Sequence, residues 1–136
     1  MFRISRRLDY GLQLMLALSK LEKKSSFVPT ALLSEELEIP LPFLHQISHS
    51  LMQSGLIKAT PGPRGGLRIS KAADKITLFD IFEALEGGFS SPTLADTETP
   101  TSSEESEAAA AVWVKIGDDV HKMFSSILLS DIIEKK

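Results

Sequence analysis

The stretch TALLSEELEIPLPFLHQISHSLMQSGLIKATPGPRGGLRIS, residues 30–70, decides how the chain folds. Thr30 opens a short helix running to Leu37, with Ala31, Leu32, Leu33 and Leu37 on its inner side, and Glu38-Ile39-Pro40 ends it. A second helix begins almost at once, because Pro42 fits a first turn, where its missing N–H has no intrahelical partner anyway. Phe43, Leu44, Ile47 and Leu51 give this helix a buried stripe, and Gly55 stops it. Two helices joined by a short turn, the second closed by glycine, outline a helix-turn-helix. Beyond it, residues 56–60 and 67–70 are strand candidates flanking Pro61-Gly62-Pro63-Arg64-Gly65-Gly66, a tight projecting turn, so the unit is a two-stranded wing.

Working outward, Ile4, Leu8, Leu12, Met15 and Leu16 recur at helical spacing behind Ser5 as a cap, which predicts a helix over 5–22. Thr77 caps another, carrying Leu78, Ile81, Phe82 and Leu85, and Gly87-Gly88 stops it. Residues 88–107 are rich in Ser, Thr, Pro and Glu and are expected to form a mobile loop. From Ala108 the chain is helical again, and Trp113, Ile116, Val120, Met123 and Ile127 form a heptad-like seam that calls for a partner subunit as its cover. The expected architecture is mainly α with a small β wing. A winged helix-turn-helix domain spans 1–87, and a long C-terminal dimerisation helix with its tail spans 108–136.

The composition limits the chemistry. The chain has 136 residues, no cysteine, 15 Lys and Arg and 18 Asp and Glu. A chain of this length hides roughly two-thirds of its unfolded surface, enough for a core without staples. Disulfides and thiolate-held zinc or iron–sulfur clusters are excluded. No apolar run reaches the roughly 20 residues that span a bilayer. The basic start at Arg3, Arg6 and Arg7 resembles a secretion signal, but Asp9 and Gln13 interrupt the apolar segment and no cleavage pattern follows, so a mature cytoplasmic N-terminus is expected. Net charge is divided: residues 1–75 carry 11 Lys and Arg against 6 Asp and Glu, whereas residues 76–136 carry 4 against 12. A basic front half suits a chain that presents one face to a polyanion.

The order of elements, together with several local motifs, resembles the Rrf-type winged-helix transcriptional regulators, the family of IscR-, NsrR- and CymR-like proteins. The likeness rests on Arg3-Ile4-Ser5 with Tyr10-Gly11 and Met15, and on Ile39, Leu41, Phe43-Leu44, Gln46, Leu51 and Gly55-Leu56-Ile57. It continues through Gly62-Pro63-Arg64-Gly65-Gly66-Leu67, Ile76-Thr77-Leu78, Glu83-Ala84-Leu85-Glu86-Gly87, Trp113 and Ile127-Leu128-Leu129-Ser130-Asp131-Ile132. It covers nearly the whole chain outside 88–107. The resemblance implies a homodimeric DNA-binding regulator, a repressor, on a pseudo-palindromic operator. It also shows a departure: cluster-sensing members carry three cysteines where this chain has none, the third position falling on Glu107 and an occasional histidine ligand on Ala110. No cofactor is expected, and the signal is left to a small-molecule or protein effector acting on the loop.

The residues expected to touch double-stranded DNA divide by role. Leu41, Pro42, His45, Gln46 and His49 lie at the start or outer face of the 40–54 helix, where base edges are met, and Gln46 suits bidentate pairing with adenine. Arg64, Gly65 and Arg68 form the wing contact, since the negative potential of a minor groove attracts arginine. Arg3, Arg6 and Arg7, with Tyr10 beside them, either hold phosphates or are simply a solvated basic end. His45 and His49 have the spacing of two metal ligands, but no third ligand stands with them. Neither a dinucleotide fingerprint nor a nucleophile elbow is present, and nothing argues for an enzyme. The competing reading is a dimeric protein-interaction module that keeps the fold without operator binding, suggested by the neutral Ser48, Ser50, Met52 and Gln53.

Overall fold

The computed structural model describes residues 4–21, 27–87 and 103–134. The N-terminal helix α1 (Arg6–Ser19) is followed by α2 (Thr30–Leu37) and α3 (Leu41–Gln53). A hairpin of β1 (Ile57–Thr60) and β2 (Gly66–Ile69) comes next, then a 3-10 turn at Ala73–Lys75 and α4 (Leu78–Glu86). After the segment 88–102, which lies outside the described residues, come α5 (Glu104–Ser125) and the short α6 (Leu129–Glu134).

Burial, more than propensity, places these helices. Leu44, Ile47 and Leu51 of α3 are fully buried. At about 2 kcal/mol each, their burial outweighs the propensity differences of under ~0.7 kcal/mol per residue that histidine and serine introduce. In α1 the buried side is Leu8, Gly11, Leu14, Met15 and Leu18, and the Ser5 hydroxyl accepts from the Leu8 N–H at 3.1 Å as its cap. Gly11 is a close-approach position, since a Cβ there would lie 2.1 Å from a Leu85 methyl. Thr77 and Asp80 close a reciprocal capping box on α4, each side chain accepting from the other's N–H at 3.0 Å.

β1 and β2 pair antiparallel, Ile57 opposite Ile69 and Lys58 opposite Arg68. Val28 adds an isolated bridge to Leu67, so the stretch before α2 lies along the outer side of β2. A second isolated bridge joins Thr77 to Leu128, and the Leu129 N–H donates to the Ile76 carbonyl at 2.8 Å. These bonds return the chain end to its own domain, where Leu129 is fully buried.

The structure corrects four expectations. α1 ends at Ser19, earlier than 22. On α2 only Leu33 is buried and Leu37 partly so, while Ala31 and Leu32 are exposed, because successive helical residues turn by ~100° and only the i, i+4 pair faces the core. α5 begins at Glu104, inside the expected loop: Ser103 accepts from the Ser106 N–H at 3.1 Å, and Glu104, Glu105 and Glu107 suit the positive end of a helix dipole. The terminal helix also breaks at Ser126, so Ile127 does not continue the seam.

Replacing Thr77 by alanine removes half of the α4 capping box. The expected result is a loss of about 1 kcal/mol in urea denaturation with an unchanged urea slope.

Candidate nucleic-acid interface

The outer face of α3 is open along its length. Leu41, Pro42, His45, Gln46 and His49 are exposed, opposite the buried stripe, and Phe43 is half-buried. Phe43 makes an edge-on contact with Tyr10 of α1, ring centroids 5.2 Å apart, which occupies the tyrosine at the base of the helix. Ser48 is buried with its hydroxyl satisfied by the His45 carbonyl at 3.1 Å, so the change of face along α3 leaves no orphaned polar group.

The wing follows α3 directly. Its turn is closed by the Gly65 N–H donating to the Gly62 carbonyl at 2.9 Å, and Arg64 is exposed at the tip. Gly65 is itself buried: a Cβ there would fall 2.0 Å from the Thr60 carbonyl oxygen. Gly65 sets the tightness of the turn from which Arg64 projects. Arg68 is half-buried with its guanidinium 5.3 Å from the centre of the Phe27 ring, a cation–π contact that anchors the strand.

The register sets two cations face to face on the wing. Lys58 lies directly opposite Arg68, and like charges facing each other across a hairpin disfavour the pairing. The pattern was readable only once the two strands were aligned.

The N-terminal arginines separate. Arg3 lies outside the described residues. Arg6 is exposed. Arg7 donates from Nε to the Leu85 carbonyl at 2.7 Å and from its terminal nitrogen to the Ser50 hydroxyl, tying α1 to α4 and α3. The Ser5 hydroxyl likewise donates to the Glu86 carboxylate. Arg7 is thus a brace within the domain instead of a free arm.

A cleft of about 520 Å³ separates the start of α2 from the wing. It is lined by Pro29, Thr30 and Ala31 on one side and by wing residues such as Thr60, Pro63 and Gly66 on the other, with no ionisable side chain.

On α5, Val112, Trp113, Val114, Ile116 and Met123 are exposed, Trp113 by 44% and Met123 by 52%. Val120 is half-buried. Phe124 and His121 instead pack on α4, through Phe82 at 5.3 Å and Phe79 at 4.1 Å between ring centroids. Ile127, beyond the helix, accepts from the Leu78 N–H at 2.8 Å, so it joins α4 and not the seam.

An open helix-turn-helix face followed by a glycine-built wing with arginine at its tip defines a winged helix-turn-helix DNA-binding protein. The model of the Rrf2 family, described as iron-dependent transcriptional regulators, matches residues 4–135, and the chain belongs to that family as a DNA-binding transcriptional regulator. It is 30% identical over 132 residues to the HTH-type transcriptional regulator CymR of Bacillus subtilis, covering 96% of this chain and 88% of that protein. It is 26% identical over 137 residues to the regulator IscR of Cereibacter sphaeroides, covering 98% of this chain and 88% of that protein. The solved structure of CymR, the global cysteine regulator of B. subtilis, superposes with a TM-score of 0.79 at 26% identity, over 100% of this chain and 99% of that one.

The iron in the family description is not matched by this chain's donors. There is no cysteine. Among the described residues no three His, Asp or Glu side chains converge as a metal site, and Glu107 and Ala110 stand as exposed residues on α5. A cysteine-ligated cluster has no place here. Among the same residues no helix is long and apolar enough to cross a membrane.

Arg6 and Arg7 are adjacent yet serve different ends, which mutation separates. Arg7→Ala is expected to lower stability by about 2 kcal/mol, since it removes charge-assisted hydrogen bonds between three helices, whereas Arg6→Ala leaves the urea midpoint unchanged.

Proposed function

We propose that the chain is a homodimeric repressor that reads a pseudo-palindromic operator with α3 and the wing. Residues 1–87 form the reading head, and the C-terminal helix joins two heads. The observation that carries this reading is the open face of α3, five neighbouring side chains exposed opposite three that are fully buried. Every surface helix exposes one face; this one is followed directly by the wing that carries the exposed Arg64 at its tip. Gln46, His45 and His49 meet base edges, Leu41 and Pro42 supply apolar contact, and Arg64 enters the minor groove or grips its phosphates. Lys58 and Arg6 add phosphate contacts that position without specifying.

The exposed apolar run on α5 supports the dimer. Five large hydrophobic side chains within a dozen residues exceed the scatter of single apolar residues on an ordinary surface. A second copy covers them and sets two α3 helices about 34 Å apart, one turn of DNA. Working on DNA places the protein in the cytoplasm. Its signal is a ligand or protein effector, because thiol chemistry is closed to it.

Selection of bound fragments from random DNA tests the reading directly: recovery of a two-fold symmetric site supports it, and recovery of nothing above background rejects it in favour of a protein-docking role. On the selected site, Arg64→Ala is expected to weaken binding about tenfold and to reduce the slope of log affinity against log salt by about 1. Charging the α5 face with Ile116→Glu and Met123→Glu is expected to give monomers in sedimentation at micromolar concentration, since the charges would be buried unpaired.

A further inference from the structure

The charge of the reading helix points to a property of operator binding itself, and the inference rests on α3 being the helix that enters the groove. From Leu41 to Gln53 there is no lysine or arginine. The only side chains there able to carry positive charge are His45 and His49, four residues apart and therefore one turn apart on the same face. Both are exposed, on the side away from Leu44, Ile47 and Leu51.

Neither ring is held by a hydrogen bond or ion pair to a described residue. The charged and titratable groups of the elements packed against α3 are Arg6, Arg7, Asp9 and Tyr10 of α1, Glu35 and Glu36 of α2 with Glu38 beyond it, Lys58 of β1, and Asp80, Glu83 and Glu86 of α4. Arg7 is engaged by Leu85 and Ser50, Tyr10 by Phe43, and Asp80 by its own cap. The free protein thus leaves both imidazoles to water.

DNA changes their surroundings. A neutral imidazole offers one N–H donor and one acceptor, whereas the imidazolium offers two donors and a charge. Against phosphate oxygens or the acceptor edge of guanine, in the negative potential of the groove, the protonated form binds better. Histidine changes charge between pH 5 and 8, so the difference falls in the working range. By linkage, a group that DNA prefers protonated takes up protons on binding, and its contribution is full at low pH and lost as pH rises.

We propose that operator recognition by this protein is proton-coupled, with His45 and His49 as specificity-determining contacts that grip DNA as imidazolium and loosen as the pH rises from 6 to 8. Basic residues elsewhere, such as Arg64, Lys58 and Arg6, keep their charge over that range and supply the pH-independent part.

The test uses the full-length dimer and a fluorescently labelled duplex recovered by selection at pH 6, with anisotropy titrations at pH 6, 7 and 8 and constant ionic strength. Wild-type affinity is expected to fall about tenfold from pH 6 to pH 8. The double variant His45→Gln, His49→Gln is expected to bind with nearly constant affinity across that range, and its thermal melt, matching wild type, shows that exposed positions were changed without harm to the fold. Site-specific wild-type binding with the same affinity at all three pH values overturns the proton coupling while the operator reading stands. Full pH dependence persisting in the double variant also overturns it, by placing the titrating group elsewhere. Failure to select any duplex at any pH removes the operator reading and this inference together.

Discussion

Val28 and Leu67 exchange two backbone hydrogen bonds, each 2.8 Å, and the position of the wing depends on them. The hairpin has four residues in each strand, and a two-stranded hairpin of that size is at best marginally stable in water. The extra pairing lays residues just before α2 against β2, while Leu67, Ile57 and Ile69 anchor the hairpin in the core. Gly66 makes this approach sterically feasible. Its φ is +144°, and a Cβ on it would lie 2.0 Å from the Val28 carbonyl oxygen, the acceptor of one of the two bonds. Any larger residue separates the strands where they must touch. The wing is therefore built into the same body as the helix-turn-helix, and Arg64 projects from a fixed base.

The same device closes the other end of the molecule. Leu78 donates to Ile127 and Leu129 donates to Ile76, so two short backbone pairings hold the root of α5 and the start of α6 on the domain they left. Phe82 against Phe124 and Phe79 against His121 extend that grip along α4. What remains uncovered is the stretch of α5 farther from this root, from Val112 to Ile116, together with Met123. The other side of this contact is tied inward: α4 is linked through the Leu85 carbonyl and Arg7 to Ser50 on α3.

The elements that bury one clear stripe were legible before any coordinates. Leu44, Ile47 and Leu51 repeat at helical spacing between a proline start and a glycine stop, and the structure places α3 there. Ser5 and Thr77 read correctly as caps because hydroxyl residues before an apolar run satisfy otherwise unpaired N–H groups. Other features were hidden for physical reasons. Periodicity placed Ile127 on a seam, since spacing alone carries no sign that Ser126 ends the helix and the backbone turns to pair with Leu78. The acidic stretch 104–107 looked like loop by composition, although acids after a serine cap favour a helix start. Arg7 and Arg6 are identical in type and adjacent, and only the packing of α1 on α4 and α3 decides which one becomes a brace. That Lys58 faces Arg68 was hidden because the two lie ten residues apart in sequence and meet only in the register of the hairpin.

On the proposed reading, the division of charge gives a reason for two copies to act together. Sequence-independent affinity for DNA comes from cations against phosphates, and the exposed ones among the described residues of the head are Arg6, Lys20, Lys58, Arg64, Lys71 and Lys75, none of them on α3. The reading helix adds hydrogen-bonding groups but no permanent charge. Each good bidentate base contact discriminates by about 1–3 kcal/mol, so one head that reads with Gln46, His45 and His49, as proposed, would distinguish its site only modestly from bulk DNA. Joining two heads through the α5 face, as proposed, would turn the second encounter into an intramolecular one, and the discrimination of the half-sites would then add with little further loss of freedom. On the proposed reading, the exposed Trp113, Ile116 and Met123 are coupled to recognition: a second copy that covers them brings a second uncharged reading helix to the same DNA.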